Sequence, residues 1–472
     1  MGTPKSGLPG HWIHTLCLAA LLSLLLSACA THPVNTRTVQ NRAAAPADGI
    51  AAIADASRSD SLQVVLTFSG GGMRAAAFSY GVLEALRDTE ILWEGKRRRL
   101  LDEADLISAV SGGSFTAAYY GLKKRAALSD FRERFLLQNA EEGIETTLSL
   151  ATMGRALGGG INDQQGLTRW LDAHLFHGAT YGQFRAVGPP RVWINASDIY
   201  NRVPFVFGAT AFTAICSDLT KFPLSNAVAA SAAVPVAFAP IVVKAYPGTC
   251  TDPLPQWITR SAANRNASPM LRSFASAILR YREGKVPYIK LLDGGLVDNY
   301  GLAGFTISRE SSDTPYGPLT PQQAVRLRRS MFLVVDAKAG LSGNWVRSPE
   351  GPSGAELMQA VADTAIDASV GASYIAFERT MTDWRNALVR WRCGLSAADR
   401  KRYGAPAGWN CRDLKFFIGR VGFDQLEPAR AAELGKVPTR FHLPQQQVDE
   451  VIAAGRDALR VNPAMRDFLK SL

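Results

Sequence analysis

The chain has 472 residues, of which 47% are hydrophobic and 20% charged, so it can bury the core of one large domain or two modest ones. Its 52 Lys and Arg residues outnumber 41 Asp and Glu residues, and the formal net charge of +11 favours contact with anionic lipid headgroups. Nucleic acid is excluded as an expected partner, because no Lys/Arg run is interleaved with aromatic residues and the amino terminus is typical of an exported protein.

Residues 1–28 predict an export signal. Lys5 is the only charged residue among them, and Leu16 to Leu26 is almost wholly apolar but too short to span a membrane. The sequence Leu26-Ser27-Ala28-Cys29 resembles a bacterial lipoprotein signal. This resemblance implies cleavage before Cys29 and acylation of that cysteine. A plain secretory signal with an incidental cysteine is the alternative.

Ala30 follows this cysteine, where an aspartate is the usual mark for retention in the inner membrane. We therefore expect an outer-membrane lipoprotein of a bacterial cell envelope that faces the periplasm and is held in the membrane through Cys29. Residues 29–60 are rich in small and polar residues without a sustained apolar face, and they predict a flexible tether with a reach of about 30 Å.

The first buried strand is predicted at Val64–Phe68, and a glycine run follows it. Gly70-Gly71-Gly72-Met73-Arg74 leads directly into a helical pattern over Ala75 to Leu86. Consecutive glycines allow backbone N–H groups to converge, and a helix N-terminus adds partial positive charge, so this loop suits an oxyanion or a phosphate. It is neither a P-loop, since no Lys-Ser/Thr follows, nor a dinucleotide fingerprint, since the third glycine is missing.

A nucleophile elbow is predicted at Ser111. The apolar run Leu106–Val110 ends at this serine, and small residues follow because strand and helix pass close together at such a turn. In the G-x-S-x-G frame Gly113 fits, whereas Ala109 is a small departure. Taken alone, the motif is also compatible with an ordinary Gly-Gly turn.

An aspartate motif lies downstream, where Ile289–Leu292 runs into Asp293-Gly294-Gly295. Further short apolar strands are predicted at Val192–Ala196, Phe205–Phe207 and Met331–Asp336. Strands of this kind, separated by helical stretches, indicate a mostly parallel sheet with helices on both faces.

The three motifs occur in an order that resembles the patatin-like phospholipase family, and Ala230–Pro240 resembles that family's segment between the serine and the aspartate. The resemblance covers roughly residues 62 to 340. It implies an α/β fold, a three-layer α/β/α sandwich, and a serine acyl hydrolase that needs no cofactor and cleaves fatty-acyl esters of membrane lipids. It also implies a catalytic dyad of Ser111 and Asp293, without a histidine. The residues assigned to supporting roles are Gly70, Gly71, Gly72, Met73 and Arg74 for oxyanion binding, Ala109 and Gly113 for the elbow, and Gly294 and Gly295 for the aspartate motif.

Two alternatives remain open. The histidines of the mature chain are His32, His174, His177 and His442, and a triad in α/β-hydrolase order would have to be Ser111, Asp293 and His442. The protein could also keep the fold as a non-catalytic lipid-binding or scaffolding lipoprotein. We expect no metal site, because His174-x-x-His177 lacks cysteine or acidic neighbours at ligand spacing.

The chain is expected to divide into the signal (1–28), the tether (29–60), a patatin-like domain (61–340) and a helical carboxy-terminal extension packed on the core (341–472). Helices are predicted over Ala355 to Ala372 and Gln446 to Leu459 of the extension. Four further cysteines in an exported protein indicate disulfides. Four cysteines allow three pairings, and their distribution along the chain favours Cys216 with Cys250 and Cys393 with Cys411.

Overall fold

The computed structural model describes residues 32–37, 58–142, 144, 162–163, 165–235, 237–340, 344–347 and 349–472. The predicted export signal, Cys29 and most of the tether lie outside the described residues. Within the described part of the chain, no helix is both long enough and apolar enough to cross a membrane.

The strands follow the chain in the order β1 (Leu62–Phe68), β2 (Glu90–Trp93), β3 (Lys96–Arg99), β4 (Ala104–Val110), β5 (Arg191–Asp198), β6 (Val203–Val206), β7 (Ile241–Lys244), β8 (Tyr288–Asp293), β9 (Arg329–Asp336) and β10 (Lys415–Gly422). The α-helices are α1 (Gly72–Asp88), α2 (Gly112–Lys123), α3 (Ala127–Phe131), α4 (Gly166–Leu171), α5 (Tyr181–Ala186), α6 (Ala209–Ala214), α7 (Leu224–Ser231), α8 (Gln256–Ala263), α9 (Pro269–Arg282), α10 (Gly295–Asp298), α11 (Ala303–Glu310), α12 (Pro321–Arg326), α13 (Gly354–Cys393), α14 (Ala397–Arg402), α15 (Pro428–Gly435), α16 (Gln445–Val461) and α17 (Pro463–Lys470).

Eight of these strands form one sheet among the described residues, in the order β10-β9-β1-β4-β5-β8-β7, with β6 also paired to β5. The pairings from β10 through β5 are parallel, whereas β5–β6, β5–β8 and β7–β8 are antiparallel. Strands β2 and β3 form a separate hairpin. The predicted sandwich with a mostly parallel sheet is confirmed.

The side chains of β1 point alternately to the two faces of the sheet, and helices cover both faces. Val64, Leu66 and Phe68 belong to a core cluster that includes residues of α1, α2 and α16. Val65 belongs to a second cluster, which contains Phe377 and other residues of α13. A strand buried on both faces is apolar at nearly every position, as the sequence of β1 is.

Helix α1 is buried on nearly all sides because α16 packs across it. A Cβ at Gly81 would lie 2.0 Å from the carbonyl oxygen of Ile452, and a Cβ at Gly455 would lie 2.3 Å from that of Phe78. The two helices therefore cross at glycines, and the carboxy-terminal α16 becomes part of the core that supports the first strand and helix.

The expectation that residues 341–472 are helical is incomplete, because this region also supplies β10. That strand pairs in parallel with β9 at the edge of the sheet, and Arg420 forms an ion pair with Asp336 at 2.9 Å. An edge strand is only partly buried and tolerates polar residues, so Lys415–Gly422 lacks the continuous apolar run by which the central strands are predicted.

Two disulfides are present in the structure, and they join the same cysteines that the sequence analysis paired. Cys216 is bonded to Cys250, with their Cα atoms 5.5 Å apart. Cys393, the last residue of α13, is bonded to Cys411, with their Cα atoms 5.0 Å apart.

Candidate active site

The glycine loop, which we define as Gly70–Arg74, connects β1 to α1. Gly71 and Gly72 have φ angles of 134° and 57°, a region that glycine adopts far more readily than other residues. The N–H of Gly70 donates to Oδ1 of Asn299 at 3.1 Å, and the N–H of Met73 donates to the carbonyl of Arg440 at 2.7 Å. The N–H groups of Gly71 and Gly72 have no acceptor among the described residues, so they are left as donors for an oxyanion.

Ser111 occupies the sharp turn between β4 and α2, with φ 48° and ψ −123°. This conformation is strained for a residue with a side chain, and it is the geometry expected of a nucleophile elbow. The turn is fixed by hydrogen bonds: the Ser111 N–H donates to Oγ of Ser231 at 2.8 Å, and Oγ of Ser231 donates to the carbonyl of Asn195 at 2.7 Å.

The elbow packs directly against the glycine loop. A Cβ at Gly112 would lie 2.0 Å from the carbonyl oxygen of Gly72, and a Cβ at Gly70 would lie 3.1 Å from Cβ of Ser111. A Cβ at Gly113 would lie 2.7 Å from the carbonyl oxygen of Ser69. The glycines at 112 and 113 are therefore required by close approach of backbone to backbone.

Asp293 is the last residue of β8, and the sheet register places it beside Ala196 on β5. Its N–H donates to the carbonyl of Ala233 at 2.8 Å, and the N–H of Gly295 donates to its Oδ1 at 2.8 Å. The N–H of Gly294 donates to the carbonyl of Ser231 at 3.1 Å. The Ala230–Pro240 segment thus holds the aspartate motif through Ala233, and Ser231 binds both this motif and the elbow.

The burial of Ser111 and Asp293 determines how strongly the Asp293 carboxyl binds its proton. Ser111 and Asp293 are 4% and 5% exposed. Burial raises the pKa of the Asp293 carboxyl to about 6, and hydrogen bonds from the Ser111 side chain and the Gly295 N–H oppose that rise only in part. The Asp293 carboxylate is therefore a stronger base than that of an ordinary aspartate.

Arg74 binds the carboxy-terminal part of the chain. Its side chain is buried and donates to the carbonyl of Ala337 at 2.9 Å, to the carbonyl of Val437 and to Oγ1 of Thr439 at 3.0 Å. Burial lowers the pKa of this guanidinium to about 10, although the nearby carboxylate of Asp336 opposes the shift. These contacts fit a residue that orients the glycine loop.

Asn299, Ser231 and Asn195 are site residues to which the sequence analysis gave no role. The side-chain oxygen of Asn299 accepts from Gly70, and a Cβ at Gly70 or Gly295 would lie within 2.8 Å of it. The signal for Asn299 was its place six residues after Asp293, at the end of the apolar and glycine-rich motif. Ser231 lies inside the Ala230–Pro240 segment, which marked the stretch but not the residue, and nothing in the local pattern marks Asn195.

Neither His174 nor His442 forms a hydrogen bond with Ser111 or Asp293 in the part of the chain that the structure describes. His442 is exposed, and the Asp293 carboxylate interacts directly with Ser111. His174 stacks on Trp170, with ring centroids 4.1 Å apart, and its Nδ1 lies 2.8 Å from the Trp170 carbonyl oxygen. Across the described ranges, no group of three or more His, Cys, Asp or Glu side chains could hold a metal ion.

A serine at a strand–helix elbow, next to a glycine-rich helix N-terminus in an α/β/α sheet, is the arrangement of a serine hydrolase. The family model described as patatin-like phospholipase matches residues 66–306. The chain belongs to the patatin-like phospholipase family, a family of lipid acyl hydrolases.

No curated protein matches the chain. Among solved structures it is similar to human GIVD cytosolic phospholipase A2, with 12% sequence identity and a TM-score of 0.42. That similarity covers 88% of this chain and 63% of the other, so the chain spans less than two thirds of the length of that structure.

Proposed function

We propose that the protein is a serine acyl hydrolase of the lipase or phospholipase A type, which cleaves fatty-acyl esters of membrane lipids through a dyad of Ser111 and Asp293. The observation that carries the proposal is the direct interaction of the strained elbow serine with a buried aspartate of raised pKa. The two N–H groups at Gly71 and Gly72 that lack acceptors among the described residues supply the third requirement, stabilisation of an oxyanion.

In this mechanism Oγ of Ser111 attacks the ester carbonyl carbon while the Asp293 carboxylate accepts the hydroxyl proton. The carbonyl oxygen becomes an oxyanion, which the glycine-loop N–H groups stabilise. When the tetrahedral intermediate collapses, the alcohol leaves with the proton held by Asp293, and an acyl-serine remains. Water then attacks the acyl-serine as Asp293 takes its proton. When this second tetrahedral intermediate collapses, the bond to Oγ of Ser111 breaks, Asp293 returns its proton to Oγ, and the fatty acid leaves.

The proposal is tested by incubating the purified mature protein with vesicles of phosphatidylcholine, phosphatidylethanolamine and phosphatidylglycerol. Mass spectrometry of the products should show fatty acid and lysophospholipid in equal amounts from at least one lipid. Binding to the vesicles without fatty-acid release would favour the non-catalytic, lipid-binding alternative.

The pKa of Asp293 predicts the pH dependence of hydrolysis. The carboxyl must be ionised to accept the serine proton, so kcat/KM should fall about tenfold for each pH unit below about 6 and level off above it. Measurement of kcat/KM for a soluble ester substrate at several pH values tests this decrease. A profile that stays flat from pH 4.5 to 8 would exclude Asp293 as the base.

We also propose that the mature protein is anchored through lipid on Cys29 to the outer membrane, facing the periplasm. The several acyl chains of a lipoprotein cysteine would hold it stably, and anchoring would keep the enzyme at high effective concentration near its substrate. In bacteria, a palmitate analogue should label the wild-type protein but not Cys29→Ser. Equal labelling of both proteins would contradict the anchor.

A further inference from the structure

A short segment of the carboxy-terminal region, residues 437–441, lies directly against the glycine loop. The carbonyl of Arg440 accepts the Met73 N–H at 2.7 Å. That oxygen also lies 2.5 Å from the position that a Cβ at Gly72 would occupy, and the Arg440 nitrogen lies 3.0 Å from it. The 437–441 segment thus contacts the loop backbone to backbone, next to the two N–H groups that have no acceptor among the described residues.

A second set of contacts binds the same segment to the next residue of the loop. The Arg74 guanidinium donates to the carbonyl of Val437 and to Oγ1 of Thr439. Met73 and Arg74 directly follow Gly72, so the segment holds the loop at two consecutive residues. A displacement of residues 437–441 would therefore move the glycine loop or break these bonds.

Glu141 holds the 437–441 segment from its other side. Its carboxylate accepts two bonds from the Arg440 guanidinium, at 2.6 and 3.1 Å, and one from the Phe441 N–H at 3.0 Å. Burial disfavours the charged form of Glu141, but the bonds from Arg440 and Phe441 outweigh burial and keep the pKa of this carboxyl below its ordinary value. With its side chain 14% exposed, Glu141 is the more buried member of the ion pair.

Aromatic packing fixes the end of the segment close to the nucleophile. The Phe441 ring packs against Phe115 and Phe238, with centroids 5.9 and 5.8 Å apart. Phe115 lies on α2, four residues after Ser111. The carbonyl of Phe441 also accepts from the N–H of Ala140 at 3.3 Å, beside Glu141.

We propose that Glu141 is a positioning residue for ester hydrolysis: it fixes the 437–441 segment, which in turn holds the glycine loop in the conformation that stabilises the oxyanion. This inference rests on the proposed function. It gives the carboxy-terminal region, which lies beyond residues 66–306 of the family match, a part in the active site. Oxyanion donors act mainly in the transition state, so misplacement of the loop lowers kcat more than it changes KM.

The test compares Glu141→Ala and Glu141→Gln with the wild type, using a soluble ester substrate. We expect kcat to fall about 10- to 100-fold in Glu141→Ala, as for a small misplacement of catalytic groups, with KM changed by less than about threefold. Glu141→Gln should restore part of the loss, because its amide oxygen can still accept from Phe441 and Arg440. Glu433→Ala is the matched control, since it removes a carboxylate of the same region that is 71% exposed and forms an ion pair with Lys436.

Two further measurements separate positioning from folding. Titration of the active serine with a fluorophosphonate counts the folded, competent molecules, so kcat is expressed per active site. Hydrogen exchange of the peptide containing residues 70–75 should become faster in Glu141→Ala and stay unchanged in Glu433→Ala.

The outcomes distinguish this inference from the proposed function. Unchanged kcat per active site in Glu141→Ala, or equal losses in Glu141→Ala and Glu433→Ala, would overturn the role of Glu141. A wild-type protein that hydrolyses no ester would overturn the proposed function. In that case, unchanged exchange of residues 70–75 in Glu141→Ala would overturn the positioning as well, and faster exchange would support it.

Discussion

Replacement of Ser111 by alanine is expected to reduce ester hydrolysis by at least about 10⁴-fold, because it removes the nucleophile. The fold should survive the change. The contacts that fix the elbow are made by the backbone of Ser111, whose N–H donates to Ser231 and whose carbonyl accepts from Ser114. The rate of fatty-acid release measures the loss, and circular dichroism checks the fold.

Ser108→Ala is the control for this substitution. Ser108 lies on β4, three residues before Ser111, and its buried hydroxyl donates to the carbonyl of Gly301 at 2.7 Å. Its loss should leave most of the activity. Ser111→Ala that keeps more than about a tenth of wild-type activity would contradict Ser111 as the nucleophile.

Replacement of Asp293 by asparagine should have two effects of opposite sign. Hydrolysis is expected to fall by about 10³-fold or more, because the amide cannot accept the serine proton. Stability is expected to rise at pH 8. The folded protein holds the proton of this carboxyl up to about pH 6 while the unfolded chain releases it near the ordinary value of 3.8, so ionisation of Asp293 disfavours the folded state.

The sign of the stability change depends on pH. Because the folded state binds this proton more tightly, the contribution of Asp293 to the free energy of unfolding falls as pH rises from about 4 to 6 and is constant above that range. At pH 8, Asp293→Asn should raise the free energy of unfolding by at most about 3 kcal/mol. The loss of the hydrogen bonds that the carboxylate accepts makes the gain smaller. Urea unfolding at pH 8 and pH 4.5 measures the difference, which should shrink or reverse at the lower pH.

Asp105→Asn is the matched control for Asp293→Asn. Asp105 is also buried, and burial raises its pKa to about 6, but it forms an ion pair with Arg58 at 2.9 Å and lies near the start of β4, away from Ser111. By the same linkage the ionisation of Asp105 disfavours the folded state, so Asp105→Asn should change stability with pH in the same sense as Asp293→Asn while each folded molecule keeps its activity. Normal hydrolysis by Asp293→Asn would contradict the dyad.

The parts of the site that sequence predicted are those encoded by short local patterns. A strand buried on both faces is a continuous apolar run, and a serine elbow needs small residues at fixed positions, so β1, β4 and Ser111 are visible in the sequence. The Asp293 motif is local in the same way. The parallel pairing of β1 with β4 places the glycine loop beside the elbow, because neighbouring parallel strands end at the same edge. Asp293 arrives differently, on the antiparallel strand β8, whose pairing sets it beside Ala196 on β5.

The contacts that support the site could not be predicted in this way, because they join residues far apart in the chain. Arg74 and Thr439 are 365 residues apart, and no local pattern at either residue specifies the other. Ser231 is far from Ser111 in the sequence, and only folding brings its hydroxyl next to the Ser111 N–H. β10 was missed for a different reason, since a half-buried edge strand with Lys415 and Arg420 resembles a polar loop.

The central claim, a reactive Ser111 activated by Asp293 without a histidine, is tested most directly by mass spectrometry after treatment with a fluorophosphonate. We expect one adduct on the peptide that contains Ser111, formed at a similar rate in the wild type and in His442→Ala, formed far more slowly in Asp293→Asn and absent in Ser111→Ala. Reaction at a different residue, or loss of the adduct in a normally folded His442→Ala, would contradict the dyad.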